Sequence, residues 1–148
     1  SMLDVSVRIG ILDLLLTMRD KYGISFIYIT HDLITARYIC DRIAIMYLGK
    51  ILEIGPTETN INQPCHPYTR ALISAVPVPD PTAETPELPI RGYVPITPDE
   101  TIGCCRFEPR CPERTKQCQS GQPEMAQVGN GHFASCFLVD EDGYGYDN

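Results

Sequence analysis

Four cysteines spaced Cys105-x5-Cys111-x6-Cys118-x17-Cys136 constrain this chain more than any other feature. They lie in a stretch thick with Pro and Gly, which offers little apolar material for a core of its own. Four thiolates on one metal centre would hold such a stretch together, because each ligand bond removes chain freedom that folding must otherwise offset. By spacing alone, two disulfides would serve equally well. No apolar run approaches the ~20 residues of a membrane span, and no signal-peptide pattern opens the sequence. The expected compartment is therefore the cytosol, where disulfides rarely persist and cysteine clusters more often bind metals. Seven cysteines is also an odd count, so complete internal pairing is impossible.

Charge is unevenly placed along the 148 residues. Residues 1–79 carry seven acidic and seven basic side chains, whereas residues 80–148 carry twelve acidic and five basic, and so hold the whole net charge of −7. Phosphate binding needs clustered Lys and Arg, so a nucleic-acid partner is not expected.

Hydrophobic periodicity predicts a helix over 5–22, where Val5, Ile9, Leu12 and Leu16 recur at helical spacing, with Asp4 as N-cap and Gly23 as stop. The β-prone run Ile24–Thr30 predicts a strand buried in a parallel sheet. A short helix is expected over 33–39. Ile43–Leu48 and Ile51–Ile54 read as two strands too close for a crossover, hence a hairpin. Pro67 suits the first turn of a helix over about 68–75. From Pro77 to Pro98 seven of 22 residues are proline, which predicts an extended strap. The acidic, Gly/Tyr-rich tail 140–148 is expected to be disordered.

Ser1-Met2-Leu3-Asp4-Val5-Ser6-Val7-Arg8 resembles the D-loop of ABC transporter ATPase subunits, and Ile29-Thr30-His31-Asp32 resembles their switch-histidine loop. Met46-Tyr47-Leu48-Gly49-Lys50-Ile51-Leu52-Glu53-Ile54-Gly55 looks like the hairpin closing their nucleotide-binding domain. His66-Pro67-Tyr68-Thr69-Arg70-Ala71-Leu72-Ile73-Ser74-Ala75-Val76-Pro77 and Gly103-Cys104-Cys105-Arg106-Phe107-Glu108-Pro109-Arg110-Cys111-Pro112 resemble the C-terminal extension of the oligopeptide/dipeptide importer branch. The resemblance implies an α/β fold: the C-terminal half of an ABC-type nucleotide-binding domain (1–63), then a small, irregular, Cys-rich extension (64–139, with the cysteine cluster at 103–137). It also implies peptide import powered by ATP, with membrane-spanning permease subunits and a second ATPase subunit as partners, at the cytoplasmic face of the membrane. In that family two copies sandwich two ATP molecules.

The sequence holds no Gly-x4-Gly-Lys-Ser/Thr loop, no Leu-Ser-Gly-Gly-Gln signature and no Walker B carboxylates ahead of the D-loop. The phosphate loop cradles the nucleotide with backbone N–H groups and brings Lys and magnesium. A C-terminal fragment is thus expected, inactive as an ATPase on its own, with ATP and magnesium bound only in an intact subunit. Apolar surface left bare by such a division predicts a homo-oligomer.

The resemblance assigns His31 as the switch histidine near the terminal phosphate of ATP, and Asp4 as the D-loop aspartate at the subunit interface. Asp4 is equally suited to capping a helix. His66, Pro67, Tyr68 and Arg70 read as structural. Cys105, Cys111, Cys118 and Cys136 are the candidate metal ligands. Their gaps are wider than the tight pairs of most zinc sites, so a 4Fe–4S cluster is preferred, as members of this family carry one, with zinc or no metal as alternatives. Cys104 is left over, and Cys40 and Cys65 read as small buried residues. A different class of function stays open: a self-standing metal-binding or redox-regulatory module without transport chemistry.

Overall fold

The computed structural model describes residues 4–76, 90–92, 103–140 and 143–144. The expected strap over 77–98, apart from 90–92, lies outside the described residues, as do Ser1–Leu3 of the D-loop motif. Two compact units are present, Ser1–Cys40 and Asp41–Asn148.

The first unit holds two helices, α1 (Val5–Tyr22) and α2 (Leu33–Ile39). Helix α1 starts where Asp4 Oδ1 accepts from the Ser6 N–H at 2.9 Å, and it closes at Gly23, whose N–H bonds Arg19 O at 2.8 Å. The Tyr38 hydroxyl donates to Asp13 Oδ1 at 2.8 Å and ties α2 to α1, while Leu12 and Ala36 are buried. The strand expected over Ile24–Thr30 is not formed. Ile27 and Ile29 are 95% and 92% exposed. A buried parallel strand exists only where neighbours supply its ladder hydrogen bonds and cover both its faces, and no described residue pairs with this run.

The second unit is built on an antiparallel sheet of order β1-β2-β4-β3. Strands β1 (Arg42–Tyr47) and β2 (Lys50–Pro56) form the expected hairpin. Leu48 (φ 44°) and Gly49 (φ 76°) make its turn; two left-handed residues match the right-handed twist of the strands, and glycine adopts the second at no steric cost. Ile43, Ile45 and Tyr47 point inward at period two. A bulge between Ile45 and Met46 leaves Leu52 as the extra residue of β2, so Leu52 and Glu53 are both fully buried despite being adjacent.

Helix α3 (Thr57–Asn62), not foreseen from sequence, follows β2, and α4 (Pro67–Ser74) starts with Pro67 in its first turn. His66 caps α4, its Nδ1 accepting from the Tyr68 N–H at 3.0 Å. Strands β3 (Ala126–Gly129) and β4 (His132–Ala134) pair with each other, and β4 adds to the edge of β2 through Glu53↔Ala134 and Ile54↔Phe133. The extension is thus part of the same sheet as the hairpin. Of the tail, Gly143–Tyr144 (β6) pair with Val139–Asp140 (β5), and residues 141–142 and 145–148 lie outside the described set.

The core joins hairpin and extension. Tyr47 and Leu52 pack with Cys105, Phe107, Cys111 and Cys118, flanked by Tyr68 and Phe137. Phe107 is fully buried, with ring centroids 5.4 Å from Tyr47, 5.2 Å from Tyr68 and 5.7 Å from His66. Burying a side chain of this size contributes about 1.5–3 kcal/mol, and edge-on aromatic contacts add to it. The Cys-rich segment therefore borrows a core from the strands it lies against.

Candidate functional site

Three of the four cysteines singled out by spacing, Cys105, Cys111 and Cys118, share one core cluster. Cys105, Cys111 and Cys118 are buried in the shared core and Cys136 is half-buried. No disulfide joins them. Burial pushes the Cys111 thiol up to about 11 and the Cys136 thiol to about 12, and raises Cys105. Each of these three also feels its neighbours: Cys136 is raised further by Cys105, Cys111 and Cys118, and Cys111 by Cys118 and Cys105. Backbone N–H groups oppose the rise: those of Phe107 and Glu108 face Cys105, that of Glu113 faces Cys111 and that of Leu138 faces Cys136. Soft sulfur donors in an apolar shell, with N–H groups aimed at them, are the donor chemistry that a thiolate-bound iron–sulfur centre uses.

Local contacts fix the loops that carry these thiols. The Cys105 N–H bonds Cys118 O at 2.9 Å, and the Arg106 guanidinium donates to Leu48 O in the hairpin turn. Arg70 of α4 grips both carboxylate oxygens of Glu113, at 2.6 and 2.7 Å. Glu108 Oε1 accepts from Gln119 Nε2 at 3.0 Å and lies 3.6 Å from Arg114. Arg91 N–H bonds Arg110 O at 2.9 Å. Cys104, next to Cys105, stands outside the buried core.

A second constellation escaped sequence reasoning. Glu53, fully buried, accepts at Oε1 from the Cys65 N–H (2.9 Å) and at Oε2 from the His66 N–H (2.8 Å), while His132 Nε2 lies 2.7 Å from Oε1. The ligand atoms of Glu53, Cys65 and His132 all fall within 4.8 Å of one another, close enough for a metal ion. However, both carboxylate oxygens already accept hydrogen bonds, so the group serves as a hub joining β2, the start of α4 and β4. Burial, followed by the Arg70 charge, pushes the His66 imidazole down to about 3, and as a neutral ring it can accept from Tyr68. Asn60 completes the surroundings, donating to Ile43 O at 3.0 Å and Gly55 O at 3.4 Å. The one sequence signal for the hub was an acidic residue set among Ile51, Leu52 and Ile54; nothing local pointed to His132, 79 residues away.

His31 and Asp4 stand in the first unit. His31 is exposed, at a bend ahead of α2. The residues around it are ordered by capping: the Asp32 N–H bonds Thr30 Oγ1 at 3.0 Å, and Asp32 Oδ1 accepts from Ile34 N–H (3.0 Å) and Thr35 N–H (3.3 Å). The loop therefore presents an imidazole to solvent from a fixed base. Asp4 is exposed and caps α1; its hydrogen bonds from Ser6 hold its carboxyl below the usual range.

A strand hairpin whose sheet is extended by two strands of the Cys-rich region, preceded in sequence by two helices and an exposed histidine loop, defines a small α/β segment with an antiparallel sheet. Residues 52–118 match the family described as the oligopeptide/dipeptide transporter, C-terminal region. The chain is 41% identical over 136 residues to a Brucella ovis protein provisionally named a peptide import ATP-binding protein; the alignment covers 92% of this chain and 43% of that protein. It is 39% identical over 140 residues to the dipeptide transport ATP-binding protein of Haemophilus influenzae, covering 95% of this chain and 42% of that protein. The chain is thus similar to the ATP-binding proteins of oligopeptide/dipeptide-type transporters, and it spans less than half the length of these relatives.

Proposed function

We propose that this chain serves as the C-terminal part of an ATP-binding subunit that powers peptide import. The observation that carries this reading is sequence identity to peptide-transport ATP-binding proteins across more than nine-tenths of the chain. In this role His31 contacts the terminal phosphate of ATP held by a phosphate loop that the present sequence does not contain, and Asp4 faces a second ATPase subunit. The fixed, exposed loop around His31 supports the first assignment, since an imidazole acting on a bound phosphate must be reachable and well oriented. Permease subunits are the membrane partners, at the cytoplasmic face. No helix among the described residues is long and apolar enough to cross a membrane. The exposed run Ile24–Thr30 and the apolar side chains Ile9, Leu14 and Met18 of α1 favour self-association when this chain is isolated.

The thiols of Cys105, Cys111, Cys118 and Cys136 hold a 4Fe–4S cluster in this reading, with one zinc ion as the competing occupant. The burial of Cys105, Cys111 and Cys118 and the N–H groups facing Cys105, Cys111 and Cys136 support a thiolate-bound centre. Its role is to pin or redox-gate the extension against the hairpin, through Phe107 and Arg106. A self-standing metal module is the weaker reading, because the similarity to transport proteins includes the helices and histidine loop that such a module would not need.

Uptake of labelled di- and oligopeptides by cells lacking the protein tests the function: loss of uptake, restored by the gene, is expected, and unchanged uptake would overturn it. Iron and sulfide content after oxygen-free purification tests the centre. About four of each per chain fits the cluster; one zinc replaces it, and no metal removes it.

A further inference from the structure

Thr115 and Cys118 cap each other in an unusual chemical form. Thr115 is the N-cap of the 3-10 turn Lys116–Gln119; its side chain faces the Cys118 N–H, which donates to the Thr115 carbonyl at 3.2 Å. In return the Thr115 N–H points at Cys118 Sγ, 3.5 Å away. Reciprocal caps of this kind ordinarily use Glu or Gln at the third helical position; here a sulfur takes that place. The Thr115 hydroxyl oxygen also lies 3.4 Å from the same sulfur. A metal-bound thiolate has no proton to give, so with Cys118 as a ligand the hydroxyl is the donor of this pair. A backbone and a side-chain donor on one residue thus converge on one buried thiol. Cys105, Cys111 and Cys136 differ: the donors that face them are backbone N–H groups of residues two or three positions further along.

We propose that Thr115 is a positioning residue for the sulfur-bound metal centre, setting its reduction potential through a hydroxyl hydrogen bond to Cys118. This rests on the iron–sulfur reading above. A hydrogen bond to a ligand sulfur withdraws electron density from it and so favours the reduced state of the centre it binds, which is how surrounding hydrogen bonds tune such potentials. The asymmetry of donors makes Cys118 the ligand through which a single side chain can act.

The test is a redox titration of oxygen-free protein followed by electron paramagnetic resonance, with iron and sulfide measured on each sample. Thr115→Val removes the hydroxyl at nearly constant shape, Thr115→Ser retains it, and Thr115→Asp keeps a side-chain oxygen at the N-cap without offering a proton to the sulfur. With iron and sulfide retained, the Val and Asp variants are expected to lower the reduced-to-oxidised ratio at fixed potential by about three- to tenfold, tenfold being 59 mV for a one-electron couple. The Ser variant should stay within about twofold of the parent. Iron-loaded Val and Asp variants titrating with the parent overturn the role of Thr115 and leave the cluster standing. A parent chain with neither iron nor sulfide sinks the iron–sulfur reading, and this inference with it. Should Val lower iron loading, the Asp variant decides between a lost cap and a lost proton.

Discussion

Glu53 and His132 meet at 2.7 Å in the buried interior, with 79 residues of chain between them. That contact, together with the pairing of β2 with β4, closes the extension back onto the hairpin. A carboxylate taken out of water is tolerable only when donors surround it, and here two backbone N–H groups and an imidazole do so.

Removing it should be costly. Glu53→Ala strands the Cys65 and His66 N–H groups and the His132 ring at once. Loss of one partner of a buried charged network costs about 3–5 kcal/mol. Urea denaturation should show that drop for Glu53→Ala and a smaller one for Glu53→Gln, which keeps one acceptor oxygen. A midpoint unchanged in Glu53→Ala would mean the hub contributes nothing.

His66 makes stability depend on pH in a definite direction. Its folded-state value of about 3 lies below the ordinary ~6.5 of an unfolded histidine, so the unfolded chain takes the proton first. The contribution is complete above about pH 6.5 and is lost as pH falls toward 3, with a slope of up to about 1.4 kcal/mol per pH unit. Denaturation midpoints compared near pH 7 and pH 5 should show it. His66→Asn, which keeps a capping acceptor for the Tyr68 N–H, should flatten this part of the profile; an equally steep profile in the variant would assign the dependence elsewhere.

Gly55 is required by close approach. A Cβ there would sit 2.8 Å from His132 Cδ2, 3.1 Å from Asn60 Oδ1 and 3.2 Å from His132 Cα. The backbone of β4 cannot yield without breaking its pairing with β2. Gly55→Ala is therefore expected to destabilise by about 1–3 kcal/mol, read as a lowered thermal midpoint. No loss would show that β4 can slide away from β2.

Local chemistry was legible in the sequence. Asp4 and Gly23 bracket α1, Leu33–Ile39 forms the short helix and Pro67 opens α4, because caps and φ restrictions act over a few residues. The β1–β2 hairpin was legible for the same reason. Ile24–Thr30 misled: its composition is that of a buried strand, but a ladder is made by partners, and composition does not report whether partners are present. The Cys region misled in the opposite sense. It looked irregular and coreless, yet Phe107 finds a core on Tyr47 and Tyr68, and His132–Ala134 finds a strand edge on β2. Spacing singles out four thiols as a candidate set, while the Glu53 hub and the Thr115–Cys118 cap depend on three-dimensional pairing that no local pattern encodes.

The most direct test of the transport role is ATP hydrolysis and peptide uptake by the assembled, membrane-reconstituted transporter carrying His31→Ala. The account predicts that both activities fall by about 10²-fold or more, as for loss of a group acting on the reacting phosphate, with subunit assembly intact. Full hydrolysis and uptake in that variant would contradict it, leaving His31 an ordinary exposed loop residue.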